Sequence, residues 1–280
     1  MTKPVLNKLL QKLTMSLIGL GLSFHACADL ESIKEKGILK VAVYNDFAPF
    51  SDGRTSSIGI DVDLAQAIAK QLGLKLSLLP FDAGENLNDD LRNMVWKGHY
   101  LGYGPADVML HVPVDPAVSN ANKQVTIFGP YYRENILLAI DTQRLASIVN
   151  LSDLQGKNLC AAKGDAGANV FFAANKGSLT SQVKLTNSAQ ECADLMKAGK
   201  VDAIAARRAE LESTLFDHPS VKLLPIDSPI LSPQGWNVGI AVKADNDKLG
   251  EAVAVALDQI RRNGELNDIF VKHHVKYVSP

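Results

Sequence analysis

Cys160 and Cys192 stand far from the chain's start, and what they do depends on compartment. In an oxidising space an even pair of this kind reads as a disulfide, which would contribute about 3–4 kcal/mol by chain entropy. In a reducing space the same pair reads as two buried thiols. His99 and His111 flank a nearly continuous apolar run. They could form a metal or proton site, or be rim and core histidines with ordinary hydrogen-bond partners. His273 and His274 are adjacent, so on a helix their rings point to different faces and chelate poorly. Lys163-Gly-Asp-Ala-Gly167 opens a helical pattern and either offers N–H groups to an anion or simply starts the helix. Asp46 reads as a turn residue rather than a catalytic acid. The chain has no His-Glu-x-x-His, no paired Cys-x-x-Cys, no phosphate loop and no Gly-x-Ser-x-Gly. The expectation is a protein that is not an enzyme, with no catalytic residue, cofactor or metal.

The elements that would position these side chains alternate. Leu39 to Val43 is a β-rich run closed by Asn45-Asp46, a turn signal. Val62, Ala65, Ile68, Ala69 and Leu72 follow at helical spacing, with Asp61 placed to cap the helix and Gly73 to end it. A strand over 75–79, a helix over 86–97 and an apolar strand over 106–112 come next. The alternation restarts near residue 135: strands over 136–140 and 157–161, a helix over 164–175, a capping box at Ser188-Ala-Gln-Glu191, and a strand over 201–205. A long amphipathic helix over 247–263 and a shorter one over 265–274 finish the chain. Such alternation predicts parallel sheets with helices on both faces, in two units. The ligand crevice then lies off the carboxyl ends of the strands, after Val43, after Leu110 and at 163–167.

At 280 residues and 46% hydrophobic the chain can bury a large core, and a net charge of −1 excludes nucleic acid and an anionic membrane surface as expected partners. Lys3, Lys8 and Lys12 precede a short apolar run from Met15 to Phe24 and a small-x-small Ala26-Cys27-Ala28. That is a secretory leader, residues 1–28, cleaved near Ala28, with a polar, helix-poor restart at Asp29. The run is about half the roughly 20 residues a spanning helix needs, so no membrane span is expected. Cys27 leaves a lipid-modified cysteine as the competing reading, although Phe24-His25-Ala26 is a poor lipobox. Loss of the leader takes three lysines and no carboxylates, leaving 26 basic against 30 acidic side chains. A soluble periplasmic protein, monomeric when alone, is expected.

Several segments resemble family 3 extracellular solute-binding proteins: Ile33-Lys-Glu-Lys-Gly-Ile-Leu-Lys-Val-Ala-Val43 with Phe47-Ala-Pro-Phe50, Gly59-Ile-Asp-Val-Asp-Leu64, Phe128-Gly-Pro-Tyr-Tyr132, Gly199-Lys-Val-Asp-Ala203 and Ile260-Arg-Arg-Asn-Gly-Glu-Leu-Asn-Asp-Ile269. They lie in family order across nearly the whole chain after the leader. The resemblance implies an α/β, periplasmic binding protein-like type II fold, with two α/β lobes joined by two hinge strands. Lobe one would be 29–132 plus 236–280, and lobe two 133–235. It places Asp46, Phe47, Phe50, His111, Lys163 and Arg207 at the cleft, with Phe47 and Phe50 either stacking on a ligand or packing the cleft floor.

Two departures bear on function. Amino-acid binders of the family carry an arginine after the third strand for the α-carboxylate, but here no arginine occurs between Arg92 and Arg133. Their lobe-two aspartate for the α-amino group falls, by count, on Arg207. An insertion, Gly98-His-Tyr-Leu-Gly-Tyr-Gly-Pro105, replaces a tight turn. The stretch from Trp96 to Asp115 resembles the methanol oxidation protein J branch of the family. That branch implies a non-catalytic accessory role beside a PQQ-dependent methanol dehydrogenase, with the cytochrome c that serves it as a further candidate. His99, Tyr100 and Tyr103 would be the partner contacts, since aromatic side chains commonly anchor interfaces. The alternative implied is an ABC-transporter receptor for a small solute that is not a standard amino acid. An enzyme built on this fold, such as a dehydratase, is the third reading.

Overall fold

The computed structural model describes residues 28–52 and 57–280; the leader expected over 1–28 lies outside them except for Ala28. Ala28–Lys36 is a helix, α1, where a helix-poor restart was expected. Leu30 and Ile33, three residues apart, bury one face of it against the core, and that burial outweighs the polar sequence around them.

Two five-stranded sheets follow, beside a short two-stranded ribbon of β2 (Asp46–Phe47) and β3 (Ser51–Asp52). The first contains β1 (Ile38–Tyr44), β4 (Lys75–Phe81), β5 (Val108–Pro113), β6 (Val125–Glu134) and β12 (Trp236–Lys243), in the order β4-β1-β5-β12-β6. β4, β1 and β5 are parallel, while β12 runs antiparallel to both β5 and β6. Five successive residues of β5 are buried, as a strand covered on both faces must be. Against this sheet pack α2 (Ile60–Gln71), α8 (Asp247–Arg262) and α9 (Glu265–Lys272), while the short helices α3 (Leu87–Leu91) and α4 (Pro116–Ala121) lie in the connections before and after β5.

The second sheet contains β7 (Ile136–Asp141), β8 (Leu159–Ala162), β9 (Val183–Thr186), β10 (Ala203–Arg207) and β11 (Val221–Pro225), in the order β11-β7-β10-β8-β9. β10, β8 and β9 are parallel, and β7 is antiparallel to β10 and β11. Its helices are α5 (Ala166–Ala173), α6 (Ala189–Lys197) and α7 (Arg208–Leu215). Both sheets are therefore mixed rather than purely parallel. In each, the strand that carries the chain between the sheets runs against its neighbours.

Only Asn135 separates β6 from β7, so the chain leaves the first sheet and enters the second almost without a loop. It returns through β12, whose first residue, Trp236, pairs with Glu134 at the end of β6. Gly235 makes this close return feasible. Its φ is +68°, and a Cβ there would lie 1.9 Å from the Glu134 carbonyl oxygen.

Cys160 on β8 and Cys192 on α6 form a disulfide, with Cα atoms 5.7 Å apart, tying helix to sheet in the second unit. Asp61 does not cap α2. Gly59 occupies the cap position, and Asp61 is buried at the second helical residue, within the first turn. Ser188 caps α6 by accepting the Glu191 N–H, but the Glu191 carboxylate takes the Asn187 N–H instead of closing the box.

Candidate functional site

Between the two sheets lies a cleft of about 460 Å³. Lobe one lines it with Asp46, Phe47, Ala48 and Asp52. From lobe two come the turn Ala162–Asp165, the start of α6 and the residues Arg207, Glu210 and Thr214. A neighbouring cavity of about 320 Å³ shares Phe47 and Arg207 with it and is otherwise walled by lobe one, including Tyr44, His111 and Trp236.

Arg207 ends β10 and points its guanidinium across the cleft. Nη1 donates to Glu210 Oε1 and Nη2 to Asp165 Oδ1, each at 3.1 Å. Its Cζ lies 4.7 Å from the centre of the Phe47 ring, within cation–π range. Local sequence explains the geometry. Glu210 is one helical turn beyond Arg207 and accepts its backbone N–H, while Asp165 caps α5 by accepting the Ala166 N–H. Gly167 lets α5 approach β10, since a Cβ there would sit 2.0 Å from the Ala205 carbonyl oxygen.

Burial acts against the Arg207 charge, but Glu210, Asp165 and Glu134 more than offset it and hold its pKa above the usual range. Burial pushes Glu210 up to about 7, with Asp165 adding to the rise and Arg207 opposing it. Glu134, fully enclosed at the crossing between lobes, is pushed up to about 8 by burial, with the Asn135 N–H and Arg207 opposing. Its Oε2 has no hydrogen-bond partner in the described structure.

On the lobe-one side, His111 sits inside β5 with φ +60°. Its Nδ1 lies 3.2 Å from Asp61 Oδ2, and its backbone N–H donates to the Tyr131 hydroxyl at 3.1 Å. Tyr131 in turn donates to Asp61 Oδ1 at 2.6 Å. The ring of His111 packs edge-on to Phe47 and Phe50. A carboxylate in this position fixes an imidazole's orientation and tautomer, as a positioned base or a structural histidine both require.

The structure brings Asp46, Phe47, Lys163 and Arg207 to one cleft, and His111 to the adjoining cavity. Phe50 is not on the wall. It is 1% exposed and packs beneath Phe47 against Tyr132 and Phe270, because the core claims a ring at that depth. Lys163 is exposed on the rim, its Nζ 3.4 Å from Asn187 Oδ1. The 163–167 turn gives its first helical N–H to Asp165 rather than holding it for an outside anion. His99 is stacked on Tyr103 and tilted against Tyr100 in the 98–105 loop, whereas His111 packs on Phe47 and Phe50. No group of three or more His, Cys, Asp or Glu side chains able to hold a metal occurs among the described residues.

Sequence reasoning missed Asp61, Tyr131, Glu134 and Glu210. The Arg207–Glu210 spacing was a local signal for one of them. Asp61 and Tyr131 are 70 residues apart and had none.

No protein-family model matches the chain. Among curated proteins it is 28% identical over 257 residues to the membrane-bound lytic murein transglycosylase F of Pseudomonas syringae pv. syringae, covering 89% of this chain and 48% of that protein. The Pseudomonas putida GB-1 protein of the same name is 26% identical, with 89% and 49% covered. The chain spans about half the length of these relatives. Among solved structures it resembles an ancestral cationic amino acid solute-binding protein (TM-score 0.68, 19% identity, 88% of this chain and 99% of that one). An amino acid ABC transporter substrate-binding protein of Streptococcus pneumoniae bound to L-arginine gives TM-score 0.59 and 26% identity, with 88% and 100% covered. None of these is a methanol-oxidation protein. No helix among the described residues is long and apolar enough to cross a membrane. With two α/β lobes, two connecting strands and a cleft between them, the chain has the fold of the periplasmic solute-binding proteins.

Proposed function

We propose that the protein is a non-catalytic receptor that holds a small solute between its lobes, and that this solute is not a standard amino acid. One observation carries the reading. The guanidinium in the cleft is committed to Asp165 and Glu210, so the charges an amino acid's carboxylate and ammonium would seek are paired with each other. No arginine lies between Arg92 and Arg133, the stretch that contains β5, to replace it. An amino acid would have to break two ion pairs on entry, at a cost of several kcal/mol for partly buried charges. The similarity to amino acid-binding structures supports solute binding as such. A melting-temperature screen of the mature chain tests the proposal, using the standard amino acids beside polyols, amines and small organic acids. Stabilisation by a solute outside the amino acids is expected. Stabilisation by an amino acid confirmed by calorimetry would overturn the specificity, and stabilisation by nothing would overturn the receptor role.

A second reading rests on a different observation. Tyr100 and Leu101 are 88% and 67% exposed at the tip of the 98–105 loop, where large apolar groups serve best as contacts. This favours the accessory role in methanol oxidation implied for the protein J branch, with a PQQ-dependent methanol dehydrogenase as partner. Co-elution of the mature chain with purified methanol dehydrogenase tests it, and two separate peaks at low salt would count against it.

A further inference from the structure

A guanidinium is recognised by three features: carboxylates in the plane of its donor fork, an aromatic face above that plane, and exclusion of water from the assembly. The cleft supplies the carboxylates and the aromatic face, leaves the Arg207 side chain 23% exposed, and the guanidinium held there belongs to the protein itself. Asp165 and Glu210 take two donors of Arg207 from lobe two, and the Phe47 ring covers it from lobe one. Asp165 is fixed by its cap on α5 and Glu210 by the Arg207 backbone, so neither carboxylate depends on the guanidinium for its position. Phe47 is held from below by Phe50 and at its edge by His111.

We infer that Arg207 is a tethered ligand: it fills a guanidinium-recognition site formed by Phe47, Asp165 and Glu210, and bridges the two lobes in the absence of solute. Its contacts within lobe two are ion pairs on that lobe's own helices, whereas its contact with Phe47 crosses the cleft. Arg207 therefore does from inside what a bound cation does from outside. Removing the side chain leaves the two carboxylates and the ring in place and opens the site to free alkylguanidinium compounds. The inference does not depend on which solute or partner the protein serves.

The test is Arg207→Ala, checked for folding by circular dichroism and titrated with methylguanidinium or L-arginine against sodium chloride of equal ionic strength. A rise in melting temperature of roughly 3–6 °C at about ten times Kd is expected in the variant and not in the wild type. X-ray scattering should show a larger radius of gyration for the variant, returning toward the wild-type value when methylguanidinium is added. No stabilisation of the folded variant, or equal stabilisation of the wild type, overturns the inference. If Arg207→Ala does not fold, Arg207→Lys keeps the positive charge but lacks the planar fork. Scattering from it should show the opened form, and an unchanged radius would overturn the bridge. Failure of every solute to bind the wild type would sink the receptor reading and leave this one standing.

Discussion

The two walls of the cleft are built on different physics. Lobe one presents a ring beside the carboxyl residues Asp46 and Asp52: Phe47 is on the wall, with Phe50, Tyr132 and Phe270 packed behind it and His111 locked to Asp61. Lobe two presents charges: Lys163, Asp165, Arg207 and Glu210, set on strand ends and helix starts. Behind them its core is rich in small residues, including Ala161, Ala168, Ala193, Ala203 and Ala205, with the Cys160–Cys192 bridge among them. The difference teaches how each wall keeps its shape. Aromatic packing fixes lobe one by volume, which is insensitive to pH and salt. Ion pairs and a covalent staple fix lobe two, and both can be changed by solution conditions.

The sharpest way to break this comparison is to remove the staple. Cys160→Ala with Cys192→Ala should cost about 3–4 kcal/mol, read as a lower urea midpoint for lobe two. Near-ultraviolet circular dichroism of the lobe-one rings should report little change before that transition. On the other side, Tyr131→Phe leaves the His111 N–H and Asp61 Oδ1 without their buried partner. A loss of roughly 2–3 kcal/mol is expected from denaturant unfolding.

Proton linkage comes next in size. The folded pKa values of Glu134 and Glu210 are raised, to about 8 and about 7, so the folded state holds protons that the unfolded chain has already released. Their contribution is fully present below the usual carboxylate pKa and is lost as pH rises through these values. Stability should fall as pH rises from 5 through 8, and Glu134→Gln should flatten that slope. A slope of the opposite sign in the wild type would remove burial as the controlling force at the crossing. The smallest effect is expected at the insertion. Tyr100→Ala with Tyr103→Ala should change stability by less than about 0.5 kcal/mol, because these rings stack mainly on His99 and face solvent. In the same variant any dehydrogenase co-elution should disappear.

How legible each feature was follows from the range of the force behind it. Helical spacing in 62–72 marked α2, and the five buried residues of β5 were visible as an apolar run. Gly73, just past α2, adopts the left-handed conformation its position suggested. Asp61 misled because a carboxylate at a helix start reads locally as a cap. Only the arrival of Tyr131 and His111 from other strands shows it to be a buried acceptor. Helix α1 was hidden for a related reason: Leu30 and Ile33 have their value only against a core built by distant residues.

The sequence by itself determined the alternation of strand and helix, the restart near residue 135, the paired cysteines and the absence of an arginine between Arg92 and Arg133. Periodicity, turn chemistry and residue identity act over a few positions and need no third dimension. Only the tertiary structure decided that both sheets are mixed, that Phe50 supports the cleft without lining it, and that Arg207 lies between Asp165, Glu210 and Phe47. Those outcomes depend on which distant surfaces meet. The guanidinium meets its carboxylates within lobe two, and its ring only where lobe one comes against it.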